Sequence, residues 1–385
     1  MSESSEKKIV IVSSWPLSEP VVRNRITPFI KLLLQAGCDV CLVCPRNSGN
    51  ESQLQPGVQL HEVSLKLDKP NGFFSRAICE AWDALILLKY AKNIQTNTLL
   101  LTIPSMFLAF FAPFSLRGRK VVLDVRDLTW EYLSDEKALT WFSKRVFRLT
   151  FKHSLNFFRL VAVTNSTELD YVRNMWRGST APVLVSNGIT RQQFDNLADL
   201  NALESDVVSV AYIGNIGLAQ RLDTLVEAAK QLPDVNFTII GAGTDYERIS
   251  TLVAEKKLKN ILLTGRVSWE AVREHYDRID ILYAQLAPEY SGAMPSKLYE
   301  YLATGKYIIY GGQGQAAEIL EGFDHYQLII PCDVLGLVAA VKSYANRCGR
   351  EKLSHKNREK IRADYIREDA AEKLIVHINN VMLDD

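Results

Sequence analysis

At 385 residues the chain is too long for one ordinary compact core, and two domains of comparable size are expected. A charged fraction of 23% beside 47% hydrophobic residues excludes a disordered or fibrous chain, and a net charge of +1 excludes the basic excess of a nucleic-acid binder. No nucleic-acid partner is expected.

The polar start, Met1 to Lys8, precedes an apolar run too short for a signal-peptide core, so a cytoplasmic protein is expected. The first strand, Lys8 to Ser13, leads into a loop carrying Arg23 and Arg25, then a helix from about Ile26 to Gln35 closed by Gly37, then a strand over Val40 to Val43. This is a βαβ unit. Cys38, Cys41 and Cys44 have regular spacing, but residues three apart on a strand face opposite ways and no histidine cluster is near. They read as reduced core thiols, and no metal is expected.

The stretch Thr98 to Leu116 has the length and low charge of a membrane span. Pro104 and Pro113 interrupt it, and Arg117, Arg119 and Lys120 follow, so a buried strand, a turn and a buried helix explain the same residues. Further strands are expected at Val121 to Val125, Leu160 to Thr164 and Val183 to Val185. Between Trp141 and Arg159, aromatics alternate with Lys144, Arg145, Arg148 and Lys152; an ordinary amphipathic helix and a helix lying on an anionic membrane surface both fit, and Phe73, Phe74 and Arg76 raise the same question.

After Asn187-Gly188-Ile189 and the polar segment 190–206, the alternation restarts. Strands are expected at Val208 to Tyr212, Asn236 to Ile240, Ile261 to Thr264, Ile281 to Tyr283, Tyr307 to Tyr310 and Leu328 to Ile330, with the clearest helices at Leu222 to Gln231, Tyr246 to Lys256 and Trp269 to Arg278. The fold class is therefore α/β, with two Rossmann-like domains facing a central cleft: residues 1–195, residues 196–368, and a terminal helix over 369–385 that returns to the first domain.

Open α/β sheets bind ligands beyond the carboxyl ends of their strands. There the second half places Gly214, Asn215 and Gly217, with Arg221 following, and then Gly241 and Gly243. Glycines let backbone N–H groups approach a ligand, and a helix N-terminus suits a diphosphate; tight connection alone explains the same turns. In Ser291-Gly-Ala-Met-Pro-Ser-Lys-Leu-Tyr-Glu-Tyr-Leu-Ala-Thr-Gly305, a helix starting near Pro295 would aim its first N–H groups at an anion, Lys297 adds a charge, and Glu300 can accept hydrogen bonds from a ribose diol. A capped helix with Glu300 favouring its dipole is the plainer explanation. In the first half, Asp127 and Arg126 follow a strand, where Asp127 could orient an acceptor hydroxyl and Arg126 could contact phosphate.

Val185-Ser-Asn-Gly-Ile189, Tyr212-Ile-Gly-Asn215, Gly241-Ala-Gly243, Thr264-Gly-Arg-Val267, Asp280-Ile281 and the Pro295 to Gly305 segment occur in the order and spacing of group 1 glycosyltransferases. The resemblance is to retaining, family 4-like enzymes of the GT-B fold, within a bacterial surface-polysaccharide subgroup. It implies a nucleoside diphosphate sugar bound in the second half: Glu300 on the ribose, Ser296, Lys297 and Leu298 near the diphosphate, and Arg266 and Val267 beside the base. It implies no cofactor and no metal, with Arg221 and Lys297 stabilising the leaving diphosphate. The implied acceptor is a carbohydrate or lipid-linked carbohydrate on the first half, near Arg23, Arg25, Arg126 and Asp127, with possible contact at the inner face of the cytoplasmic membrane. Gly292 stands where many relatives have a glutamate, with Glu289 three residues earlier, and the usual arginine and lysine after the first glycine turn are replaced by the stretch Asn215 to Arg221. A nucleotide-sugar epimerase and a non-catalytic nucleotide-sugar-binding partner of an assembly complex remain as alternatives.

Overall fold

The computed structural model describes residues 7–65, 73–103, 105–132, 138–178, 180–197, 199–200, 207–290, 295–346 and 353–383. The chain divides into two compact units, one of residues 1–187 with 367–385 and one of residues 188–366.

In the first unit, strands β1 (Lys8–Ser13), β2 (Asp39–Pro45), β3 (Val58–Val63), β4 (Thr98–Ile103), β5 (Lys120–Val125), β6 (Leu160–Val163) and β7 (Val183–Leu184) form one sheet in the order β3-β2-β1-β4-β5-β6-β7. Every pairing is parallel. Helices cover both faces, so β1, β2, β4 and β5 are almost wholly buried and are encoded as continuous apolar runs. β3 is the strand that the sequence reading missed. It lies at the sheet edge with a half-buried, half-exposed alternation, and its Gln59, His61 and Glu62 hide the apolar signal.

The first helix runs from Pro20 to Gln35, six residues earlier than expected, because Pro20 occupies the opening position, where its fixed φ and missing N–H cost nothing. Arg23 and Arg25 therefore sit on a helix rather than in a loop. The stretch from Thr98 forms β4 and then a helix, Met106–Ser115, and among the described residues no helix is long and apolar enough to cross a membrane. Residues 367–383 form a helix whose Ala370, Ala371, Leu374, Ile375, Ile378 and Val381 pack in the core of this first unit, where the helix lies against β5, β6, β7 and the Pro20–Gln35 helix.

The second unit repeats the architecture. β8 (Ser209–Ile213), β9 (Asn236–Ile240), β10 (Ile261–Gly265), β11 (Ile281–Gln285), β12 (Tyr307–Gly311) and β13 (Tyr326–Ile329) form a parallel sheet in the order β10-β9-β8-β11-β12-β13. Each sheet reverses its winding once, between β1 and β4 and between β8 and β11, and these are the switch points where such folds open a crevice. Two Rossmann-like units are thus observed. At the join, the Ile189 N–H bonds the Tyr365 carbonyl at 3.0 Å, and a Cβ on Gly188 would fall 1.9 Å from that same oxygen, so only glycine fits there.

Candidate functional site

The second unit gathers its candidate residues at the β8/β11 switch point. The Lys297–Thr304 helix, which crosses from β11 to β12, is tied to the end of β8 by Tyr301. Its buried hydroxyl donates to the Ile213 carbonyl at 3.0 Å and accepts from the Ile213 N–H at 2.7 Å. Backbone groups of a strand alternate between its two sides, and the β8–β11 ladder ends at Ala211. Tyr301 therefore occupies the place where a further β11 residue would have paired.

Lys297 starts that helix. Its ammonium donates to the Tyr212 hydroxyl and lies 3.8 Å from the centre of the Tyr212 ring; the hydroxyl in turn donates to the Asn215 carbonyl at 2.5 Å. Gly214 lies directly against it, since a Cβ there would meet the Lys297 nitrogen at 2.9 Å. The residue as a whole is half-buried, yet its ammonium is enclosed by these groups. That desolvation lowers the Lys297 pKa to about 7, against the opposing pull of Glu300. An anion arriving here would restore the full charge.

Glu300 lies one turn further along and accepts a hydrogen bond from the buried Tyr276 hydroxyl at 2.5 Å. Tyr276 belongs to the Trp269–Asp277 helix that follows β10, so the bond joins the Glu300 helix to the segment carrying Arg266 and Val267. Arg266 is exposed there, Val267 is half-buried, and the β10 register shifts at its end, where Gly265 takes φ +72°.

The glycine turns serve a different purpose from the one expected. The N–H groups of Gly214, Ile216 and Gly217 are bonded to the Ile240 carbonyl, the Ala242 carbonyl and the Gln220 side chain, and that of Gly241 to the Gly265 carbonyl. A Cβ on Gly241 would lie 1.9 Å from the Gly214 carbonyl oxygen, and one on Gly243 2.2 Å from that of Ile216. These glycines let two turns pack backbone to backbone, and those four N–H groups are not open to a ligand. Two further corrections concern the helix. Pro295 precedes its cap residue, Ser296, rather than opening the helix, and Leu298 is a core residue whose N–H bonds the Pro295 carbonyl. Ser296 is exposed and makes no side-chain cap bond, and the helix N-terminus lies beside Lys297.

Arg221 takes a left-handed backbone (φ +43°) on a turn held by the buried Gln285, whose amide donates to the carbonyls of Gln220 and Arg221 at 3.1 and 3.0 Å. With Leu218, Asp223, Arg248, Ala287, Glu289 and Tyr290 it lines a cavity of about 390 Å³. Its guanidinium is 3.8 Å from Glu289, so part of its charge is already answered. Arg221 is not among the groups packed around Lys297. Gly292 lies outside the described residues.

In the first unit, Arg25 is a structural residue and not an acceptor ligand. It pairs with the fully buried Asp124 through two bonds of 2.6 and 3.2 Å and donates to the Val185 carbonyl at 2.6 Å, which fixes the guanidinium in the core. Arg23 donates to Gln53 at an exposed position. Asp127 is half-buried near Arg126 and adds its charge to Glu168, whose carboxyl is pushed up to about 7, mainly by burial. Glu168 was not read from the sequence. It accepts from the Thr164 N–H and hydroxyl at 3.1 and 2.9 Å just beyond β6. Cys38, Cys41 and Cys44 are buried free thiols, and among the described residues no three His, Cys, Asp or Glu side chains are grouped to hold a metal.

The sequence profile of the group 1 glycosyl transferases matches residues 195–362. The second unit belongs to that family. An uncharacterised glycosyltransferase of Methanocaldococcus jannaschii is 25% identical over 185 residues, which is 46% of this chain and 50% of that protein. The curated relatives are thus matched over at most half their length. Among solved structures, sucrose-phosphate synthase of Thermosynechococcus elongatus superposes with a TM-score of 0.69 at 18% identity, covering 97% of this chain and 99% of its own. HepE of Anabaena, in complex with UDP and glucose, superposes with a TM-score of 0.67 at 13% identity and the same coverage. Both share the fold, which is GT-B: the glycosyl transferase domain is the second of two Rossmann-like units.

Proposed function

We propose that the chain transfers a sugar from a nucleoside diphosphate sugar to an acceptor hydroxyl, with retention of anomeric configuration. The observation that carries this reading is Glu300, oriented by Tyr276 one helical turn from the enclosed Lys297, in the first turn of the same helix. A carboxylate held toward the base segment suits a ribose diol, and a half-neutralised ammonium beside a helix N-terminus suits a diphosphate. HepE, whose solved structures include complexes with UDP and with UDP-glucose, supports a uridine diphosphate sugar carrying a hexose. The bond between the anomeric carbon and the diphosphate oxygen breaks, the acceptor oxygen bonds to that carbon, and the acceptor proton passes to the leaving diphosphate. Lys297 and the helix N-terminus stabilise the departing charge without a metal, and Arg221 does so once donor binding draws it from Glu289.

On this reading the first unit holds the acceptor, a carbohydrate or lipid-linked carbohydrate in polysaccharide or glycolipid assembly. The exposed Ile78, Trp82, Leu139, Trp141 and Phe142 beside Arg145 and Lys152 support contact with the inner face of the cytoplasmic membrane. The Arg221–Glu289 pair favours a second reading, a nucleotide-sugar-binding partner without turnover.

Thermal shift against a panel of nucleoside diphosphate sugars tests the central claim, because a ligand at 100 times its Kd stabilises the native state by about 2.7 kcal/mol. A panel that leaves the melting temperature unchanged sinks it. Slow release of nucleoside diphosphate, lost in Glu300→Ala and Arg221→Ala, identifies the enzyme; stabilisation without release identifies the binding partner.

A further inference from the structure

A cavity of about 590 Å³ in the first unit lies at the carboxyl ends of β4 and β5, with Ser105 and Arg126 in its wall. Ser105 caps the Met106–Ser115 helix by position only, since its side chain makes no cap bond, and the Ser105 hydroxyl, 5% exposed as a residue, has no hydrogen-bond partner among the described residues. Arg126 is 8% exposed; one guanidinium nitrogen donates to the Val21 carbonyl at 2.9 Å, but its buried Nε has no partner among the described residues. Because β4 and β5 are neighbours with Ile103 opposite Val125, the two unanswered donors issue from adjacent strand ends. Buried donors are rarely left unpaired, since each forfeits its hydration without replacement. They stand beside the N-terminus of a ten-residue helix, whose dipole favours an acidic group.

Trp15, Val22, Met106, Trp130, Phe107 and Phe147 make most of the remaining wall apolar. Phe107, Phe147 and Ala77 also line a second, apolar groove of about 400 Å³, which continues between the helices Phe73–Asn93 and Ala138–Leu155 past Ile78, Leu139, Phe142 and Val146. Ile78 and Phe142 are 69% and 61% exposed. The acidic side chains at the cavity are Glu80, which pairs with Arg76 at 3.0 Å, and the exposed Glu19. Lys144 on the groove helix turns instead toward Glu131.

We propose that this cavity and groove bind one anionic amphiphile, its phosphate on Arg126, Ser105 and the helix N-terminus, and its single hydrocarbon chain running over Phe107 and Phe147 into the groove. Charge complementarity chooses the head, and the continuity of the two cavities chooses the chain. That such a molecule is the sugar acceptor rests on the glycosyl-transfer reading; the binding site itself does not.

Trp15 and Trp130 line the cavity, so their fluorescence reports occupancy of the full-length chain. Farnesyl phosphate, titrated below its aggregation concentration, is expected to saturate the signal, with farnesol and inorganic phosphate each at least about tenfold weaker, the worth of a charge-assisted hydrogen bond. Arg126→Gln should erase the preference for phosphate over alcohol. Phe142→Asp, at an exposed position that leaves the fold intact, should weaken both chain-bearing probes. Equal affinity for farnesol and farnesyl phosphate overturns the head-group site. Tight binding of inorganic phosphate alone overturns the chain site, and affinity unchanged in both variants places the probe elsewhere and overturns the proposal. Thermal shift with UDP-glucose on the same variants stays at its wild-type value if the donor reading holds, so the two readings fail separately.

Discussion

Replacing Tyr301 by phenylalanine removes one oxygen atom and leaves both backbone groups of Ile213 without a partner. Ile213 is 7% exposed and its ladder to β11 has already ended, so neither water nor strand replaces what the hydroxyl supplied. A buried polar group left unsatisfied costs about 1–3 kcal/mol, and two of them, partly relieved by local movement, bring the loss to about 3 kcal/mol. For a unit of this size each kcal/mol lowers the transition by about 2–4 °C, so the second unit should melt about 6–12 °C lower. Differential scanning calorimetry measures the shift, and hydrogen exchange of a peptide covering residues 209–217 localises it, since the Ile213 amide should lose its protection. If Tyr301→Phe melts within about 2 °C of the wild type with the Ile213 amide still protected, the account of how the helix is held is wrong.

Three further outcomes follow from the same geometry. The lowered pKa of Lys297, about 7 with the site empty, means that binding a diphosphate takes up a proton between that value and the higher pKa of the bound state. Affinity for UDP-glucose, which does not itself titrate there, should therefore fall as pH rises above 7, by up to about tenfold per unit, and calorimetry on Lys297→Met should show a flat profile. Arg25→Met strands the buried Asp124 carboxylate and should destabilise the first unit by about 3–5 kcal/mol in urea, while the double variant Arg25→Met/Asp124→Leu should recover most of it. Gly241→Ala drives a methyl group into the Gly214 carbonyl and should abolish thermal stabilisation by UDP-glucose; unaltered stabilisation would show that the two turns are not coupled.

The strands were legible because parallel strands buried on both faces are written as apolar runs, as at Val121 to Val125 and Ile281 to Tyr283. β3 escaped because an edge strand with one exposed face lacks that signature. At the site, Lys297 and Glu300 stood out as charges after a strand, whereas Tyr212, Tyr276 and Tyr301 looked like any core aromatic. Their roles depend on partners far away in the chain: Tyr301 meets Ile213 across 88 residues and Tyr276 meets Glu300 across 24. The same blindness misplaced Arg25. A charge near a strand end looks available until its counter-charge, Asp124, 99 residues on, comes into contact.

The helix over residues 367–383 fills the core of a unit whose other residues end at 187. On a ribosome the first unit is therefore begun first and completed last. Until residue 383 has emerged, an apolar face over β5, β6, β7 and the Pro20–Gln35 helix stays uncovered, while the whole second unit, contiguous in sequence, is free to fold. A stop codon at 367 would spare every candidate residue of the glycosyl transferase domain and still be expected to yield an aggregating chain.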